Sequence, residues 1–209
     1  AGVEELTVEF GSQGEFTGLF DSTTGAFVDT GLGAELHALS GVAGLSQGVA
    51  FDARGVTGGL TLTDAEASTL VNDGVHFISN TEHQVTLGVS AEGTHLKTSL
   101  AELQKLGVDQ VMLTGGESAS AIELNLGDES LVKAVSAGLP HFMAYDGQTA
   151  EPVVLDVQGA DLSLDLQGVT TSTVDTLKGA GVEELTVEFG SQGEFTGLFD
   201  ATGGFVDTG

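Results

Sequence analysis

Apolar and polar residues alternate with period two in four short stretches: Leu60 and Leu62; Val85, Leu87 and Val89; Ile122, Leu124 and Leu126; Val153, Leu155 and Val157. Successive side chains of a strand point to opposite faces, so each stretch predicts a strand with one face buried. Thr61, Thr86, Glu123, Asn125 and Asp156 then take the solvent side. Groups that cap exposed backbone N–H follow the strands at Thr63-Asp64, Gly127-Asp128 and Thr171-Ser172-Thr173, and they predict helix starts. Leu96, Leu100 and Leu103 are spaced i, i+4, i+7, the stripe of an amphipathic helix, with Lys97, Glu102 and Lys105 off the stripe.

Each helical stretch ends on a glycine and runs at once into an apolar strand, as in LVNDGVHFI, LQKLGVDQVML, VKAVSAGLPHFM and TLKGAGVEELTV, and more loosely in ALSGVAGLSQGVAF. Only glycine takes the left-handed conformation of a helix C-terminal cap without steric cost. Lys105 and Lys178 fall in last turns, where a cation complements the helix dipole. The repeating unit is therefore strand, turn, strand, short helix, about 30 to 43 residues long. Helices of about ten residues do not stand alone in water and must dock on their sheet. The expected fold class is α/β, with tandem ββα units stacked as a solenoid-like array that advances about 50 Å per five units at two strands per unit. The alternative is one closed α/β domain per long period, joined like beads. An extra alternating stretch, Leu162, Leu164 and Leu166, and a helix-poor segment at 11–33 break the uniformity.

The long period is explicit. AGVEELTVEFGSQGEFTGLFD occupies 1–21 and recurs unchanged at 180–200, after which STTGAFVDTG at 22–31 becomes ATGGFVDTG at 201–209. Residues 1–179 thus read as one full period of about five units, and 180–209 as the start of the next. Ala1 matches the interior Ala180 and no initiator Met is present, so the expectation is a window within a longer tandem array.

The Leu-x-x-x-Gly-Val cadence resembles the degenerate repeats of very large, cysteine-free, acidic secreted proteins of Gram-negative bacteria, often described as adhesin-like. The resemblance covers most of the chain. It implies export by a one-step secretion route, a location outside the cell or on its surface, and a structural or adhesive role.

Charge narrows the partners. Thirty-one acidic side chains face five basic ones in 209 residues, a formal net charge of -26. Arg54, Lys97, Lys105, Lys133 and Lys178 are too scattered to form a footprint for nucleic acid or an anionic membrane. No apolar run reaches the ~20 residues of a membrane-spanning helix. The expected partners are neighbouring repeats or identical chains, and a surface receptor that the sequence does not identify. Cysteine is absent, which removes disulfides, thiolate nucleophiles and Cys-based metal sites. Glycine, at 32 residues, is about twice as frequent as usual, so turns are numerous.

Three chemistries have candidate residues. Carboxylates are hard-oxygen ligands, so calcium is the expected cofactor, if any, at Glu15, Asp21 and Asp29 and their copies Glu194, Asp200 and Asp207, at Asp128 and Glu129, and at Asp161 and Asp165. The competing reading is a solvated acidic surface, since neither an EF-hand loop nor a calcium-binding nonapeptide occurs. His76 and His83 flank Ser79-Asn80-Thr81 in an expected hairpin and can meet across it, while His37, His95 and His141 have no neighbours at ligand spacing. No nucleophile elbow or phosphate loop is present, and the adjacent Glu4 and Glu5 point to opposite sides of a strand, so an enzyme is not expected.

The aromatic residues are the third candidate. Eight of eleven phenylalanines lie in the duplicated segment, at Phe10, Phe16, Phe20 and Phe27 and at Phe189, Phe195, Phe199 and Phe205. Two readings apply together: an interface between periods or chains, and a core that uses Phe because its helix is missing. The function these residues suggest is a structural repeat segment of a giant extracellular or cell-surface protein, a filament or adhesin stalk; the alternative is a calcium-binding extracellular module.

Overall fold

Strands with one apolar face need a sheet to bury it, and the sheets built here are parallel. The computed structural model describes residues 5–40, 48–78, 85–90, 96–114, 121–123, 130–146, 149–151, 153–158 and 168–188. The chain opens with β1 (Glu5–Glu9), α1 (Gln13–Thr17) and α2 (Gly31–Ser40). Three units follow: β2 (Gly48–Asp52), β3 (Leu60–Thr63), α3 (Asp64–Asn72); β4 (Val75–Phe77), β5 (Val85–Ser90), α4 (Leu100–Leu106); β6 (Gln110–Thr114), β7 (Ala121–Glu123), α5 (Leu131–Ala137). The last unit adds a strand, with β8 (His141–Asp146), β9 (Thr149–Glu151), β10 (Val153–Gln158) and α6 (Thr171–Gly179), before β11 (Val182–Glu188).

The strands assemble as three sheets in the orders β1-β2-β4, β3-β5-β6-β8-β9 and β7-β10-β11. Every pairing among them is parallel except that of β8 with β9. The result is a mixed α/β structure, as the alternating pattern predicts. Two expectations need correction. The two strands of a unit are not paired with each other: β2 and β3, and likewise β4 and β5, belong to different sheets. Each of these two-strand units therefore adds one strand to each of two sheets, so a stack of five such units at about 4.8 Å per strand would advance about 24 Å, not 50 Å. For the same reason His76, on β4, does not sit in a hairpin, and His83 lies outside the described residues.

Helix starts follow the predicted chemistry with small shifts. Thr63 caps α3 and Ser99 caps α4, each completing a reciprocal box with the Glu three residues on, Glu66 and Glu102. The cap of α5 is Ser130, and that of α6 is Thr170, one residue before the predicted group. Leu96 precedes α4 instead of lying on it, yet is buried beside Leu100, Leu103 and Leu106. Successive helices pack side by side, α3 on α4, α4 on α5 and α5 on α6. Gln104 Nε2 reaches from α4 to the Ala134 carbonyl at 3.3 Å.

The glycine after a helix has two reasons to be there at Gly107 and Gly181, and positive φ alone at Gly74 and Gly138. Gly107 takes φ +86° at the end of α4, and a Cβ on it would stand 3.0 Å from the Phe77 carbonyl oxygen of the preceding unit. At Gly181, φ is +94° and the corresponding distance to the Phe142 oxygen is 2.3 Å. At these two junctions positive φ and close approach to the backbone of the preceding unit coincide. The core runs through the chain as one cluster, from Phe10 and Phe16 through Leu60, Leu87 and Val111 to Phe142, Leu177 and Val182.

Candidate functional site

The duplicated segment is the most distinctive part of the chain, and its first copy shows how it is built. Ser12 Oγ accepts from Glu15 N at 3.2 Å while Glu15 Oε2 accepts from Gly11 N at 2.7 Å, which closes the short helix α1. That helix turns Phe16 fully inward, with its ring 5.7 Å from Phe10, 5.2 Å from Phe20, 6.3 Å from Phe51 and 6.0 Å from Phe77. Phe20 and Phe27 stack at 5.0 Å. The four phenylalanines proposed as an interface are all buried; Phe10 and Phe16 pack on Phe51 of β2, and Phe16 also on Phe77 of β4, of the same period. Their copies Phe189, Phe195, Phe199 and Phe205 lie outside the described residues.

α1 also closes a sheet. β3 is the first strand in the order of the five-stranded sheet, and the Gln13 side chain lies along its backbone. Gln13 Nε2 donates to the Thr61 carbonyl at 2.7 Å and Thr61 N donates to Gln13 Oε1 at 2.8 Å. A primary amide presents the same donor and acceptor pair as a peptide, so Gln13 occupies the place of a further strand. The segment 11–33, expected to be helix-poor, holds α1 and the start of α2, and through Gln13 it covers an edge where other units supply a strand.

Of the acidic candidates, Glu15, Asp21 and Asp29 lie within the described residues. Asp21 Oδ1 accepts from Thr23 N at 3.0 Å, Thr24 N at 2.9 Å and Thr24 Oγ1 at 3.1 Å. The Thr24 and Thr23 backbone donors, then the Thr24 hydroxyl, hold its carboxyl below the ordinary value of 3.8. Glu15 is engaged with Gly11, and Asp29 is exposed. Among the described residues no group of three or more His, Asp or Glu is placed to hold a metal ion. Asp128, Glu129, Asp161 and Asp165, with the copies Glu194, Asp200 and Asp207, lie outside those residues.

Two histidines, His37 and His76, link elements. His37 Nδ1 of α2 lies 3.0 Å from Asp73 Oδ2, just after α3; that hydrogen bond, the Asp73 charge and more distantly Asp29 raise the His37 pKa above 6.5. His76 Nε2 is 3.5 Å from Glu5 Oε2, across β2 from β1. His141 is exposed, and His95 lies outside the described residues.

Side chains that the sequence did not single out carry several polar ties, one within a unit and others between units. Buried Asp52 accepts from the Arg54 backbone N at 2.9 Å and from its guanidinium through Nε and Nη2, which holds Arg54 above its already high ordinary pKa. Asp64 accepts from Lys97 N at 2.7 Å and Thr98 N at 3.2 Å, and Asp109 from Val85 N at 3.0 Å. Carboxylates one unit away from the N–H they satisfy leave no short-range signal. Gln13 did leave one, being the long polar side chain of a segment repeated without change as Gln192.

Two concavities accompany these elements. One of about 600 Å³ lies at Glu9, Phe10, Asp52 and Arg54, where β1 and β2 end. The other, about 510 Å³, is a groove between α6 and β11 lined by Val174, Leu177, Val182 and Leu185. Comparison with protein-family models, with curated proteins and with solved structures finds no match.

Proposed function

We propose that this chain is a structural segment of a giant repetitive protein, secreted or held on a bacterial cell surface, in which ββα units stack in one direction as a filament or adhesin stalk. The observation that supports this reading best is the placement of one strand sequence. ELTVE lies at the end of a parallel sheet near the start of the chain, as β1, and again at the end of another near its finish, within β11. A strand that terminates both ends of a stack is what a tandem array would share between neighbours. One strand added per unit and side-by-side helices fit the same reading. The acidic surface fits a protein that must stay soluble while extended.

The array acts by geometry, without a catalytic step. Its length rises with the number of periods, and its stiffness comes from parallel ladders and a core that runs from unit to unit. Small-angle scattering from chains of one, two and three periods tests it. A particle of constant cross-section lengthening by about 24 Å per period is expected; a cross-section or spacing that fluctuates from period to period would replace the stalk with beads.

A further inference from the structure

We infer that the outer edge of β1 is a docking edge for strand β10 of a second copy of the period, held in tandem ahead of it. The inference rests on the array reading and adds its joint. β11, identical in sequence to the segment that contains β1, pairs with β10 in a defined register. Subtracting the period of 179 residues transfers that register to β1: Val154 opposite Glu5, Leu155 opposite Leu6, Asp156 opposite Thr7, Val157 opposite Val8 and Gln158 opposite Glu9.

Backbone direction shows that the two pairings use different edges. Phe10 N donates to the Asp52 carbonyl, and Ile78 N donates to the Phe51 carbonyl. Phe10 and Phe51 are buried, so the inward residues of β1 and β2 direct their backbone groups toward the following strand. In a parallel stack of L-residues with one buried face, side-chain face and hydrogen-bonding edge alternate together. Leu185, packed against the core, therefore directs its backbone groups onward, and Glu184 and Thr186 direct theirs back to β10. On β1 the matching outward set is Glu5, Thr7 and Glu9, and β2 is its one partner among the described residues. One strand can hold both neighbours. The two three-stranded sheets then become halves of a single five-stranded parallel sheet, β7-β10-β1-β2-β4, equal in strand number to the one inside the period.

Side-chain exposure agrees with a joint at these places. Leu6 and Val8 of β1 are only half-buried. Among the described residues the exposed large apolar side chains are Leu32 on α2 and Val174 on α6, at 46% and 49%. In a tandem array α6 of one period precedes α2 of the next, so docking brings both to the junction. Separate chains each carry a net charge of -26 and repel, whereas a covalent link supplies the effective concentration. The occupant is therefore the tandem copy.

Residue-resolved amide exchange tests the joint in the chain as it stands and in one with a further copy of residues 1–179 fused ahead of Ala1. In the single chain Glu184, Thr186 and Glu188 should be protected in β11, and Leu6 and Val8 in β1. In the fused chain Glu5, Thr7 and Glu9 should slow by at least about a hundredfold. Protection of Leu185 and Val187 in place of Glu184 and Thr186 would mean both copies use the same edge, and would overturn the joint. So would unchanged exchange at Glu5, Thr7 and Glu9 in a fused chain that still scatters as a rigid rod, which would leave the array reading standing. Slowed amides in a chain that scatters as flexible beads would support the joint and defeat the stalk.

Discussion

β1 and β11 share the sequence ELTVE and differ in what lies beside them. β1 pairs with β2, which follows it, and β11 pairs with β10, which precedes it. The segment after β1 folds a helical turn, buries four phenylalanines and closes the edge of β3. None of the partners it uses there, Phe51, Thr61 or Phe77, lies in a duplicated part of the sequence. The same residues should therefore have different worth in the two copies, since worth resides in the neighbours and not in the strand. Paired substitutions at equivalent positions measure this directly.

The largest contrast is expected at Phe16 and Phe195. Phe16→Ala empties a fully buried site and should cost about 3 to 5 kcal/mol, whereas Phe195→Ala should cost under about 1 kcal/mol in this chain. Denaturant unfolding of the two variants reads the difference, and equal losses would break the comparison. Next comes proline in the strand itself. Thr186→Pro removes an N–H directed at β10 and should cost about 2 kcal/mol or more, while Thr7→Pro removes an outward N–H on an edge strand and should be tolerated. Reversal of that order would show that the strands use their edges otherwise.

Smaller effects sharpen the picture. Gln13→Ala strips two hydrogen bonds from Thr61 and should lower stability by about 1 kcal/mol, with Gln192→Ala near neutral by the same assay. The smallest effect is a pH dependence. The folded pKa of His37 is raised by Asp73, so its contribution is fully present below the unfolded value near 6.5 and is lost as pH rises through the folded one. A plot of melting temperature against pH should fall slightly across that window in the native chain and lose this component in His37→Ala.

Periodicity made much of the fold readable in advance. Leu60-x-Leu62 and Val85-x-Leu87-x-Val89 are strands because alternation is a local property, and Thr63 and Ser99 cap helices through bonds only three residues long. Sheet membership was not readable, since nothing near Val85 says whether it pairs with β4 in a hairpin or with β3 and β6 in parallel. The duplicated phenylalanines were visible as a site, but the face they pack on depends on Phe51 and Phe77, a unit or more away. Glu15 and Asp21, which composition suggested as calcium ligands, accept hydrogen bonds from local backbone N–H groups, a partnership that composition does not carry.

The central claim is that periods form one continuous structure, and the most direct measurement is equilibrium unfolding of the present chain beside a chain one period longer. Nearest-neighbour coupling predicts a single transition in the longer chain, with a higher midpoint and a steeper slope, as more surface unfolds together. Two independent transitions, or one with the midpoint and slope of the shorter chain, would contradict it.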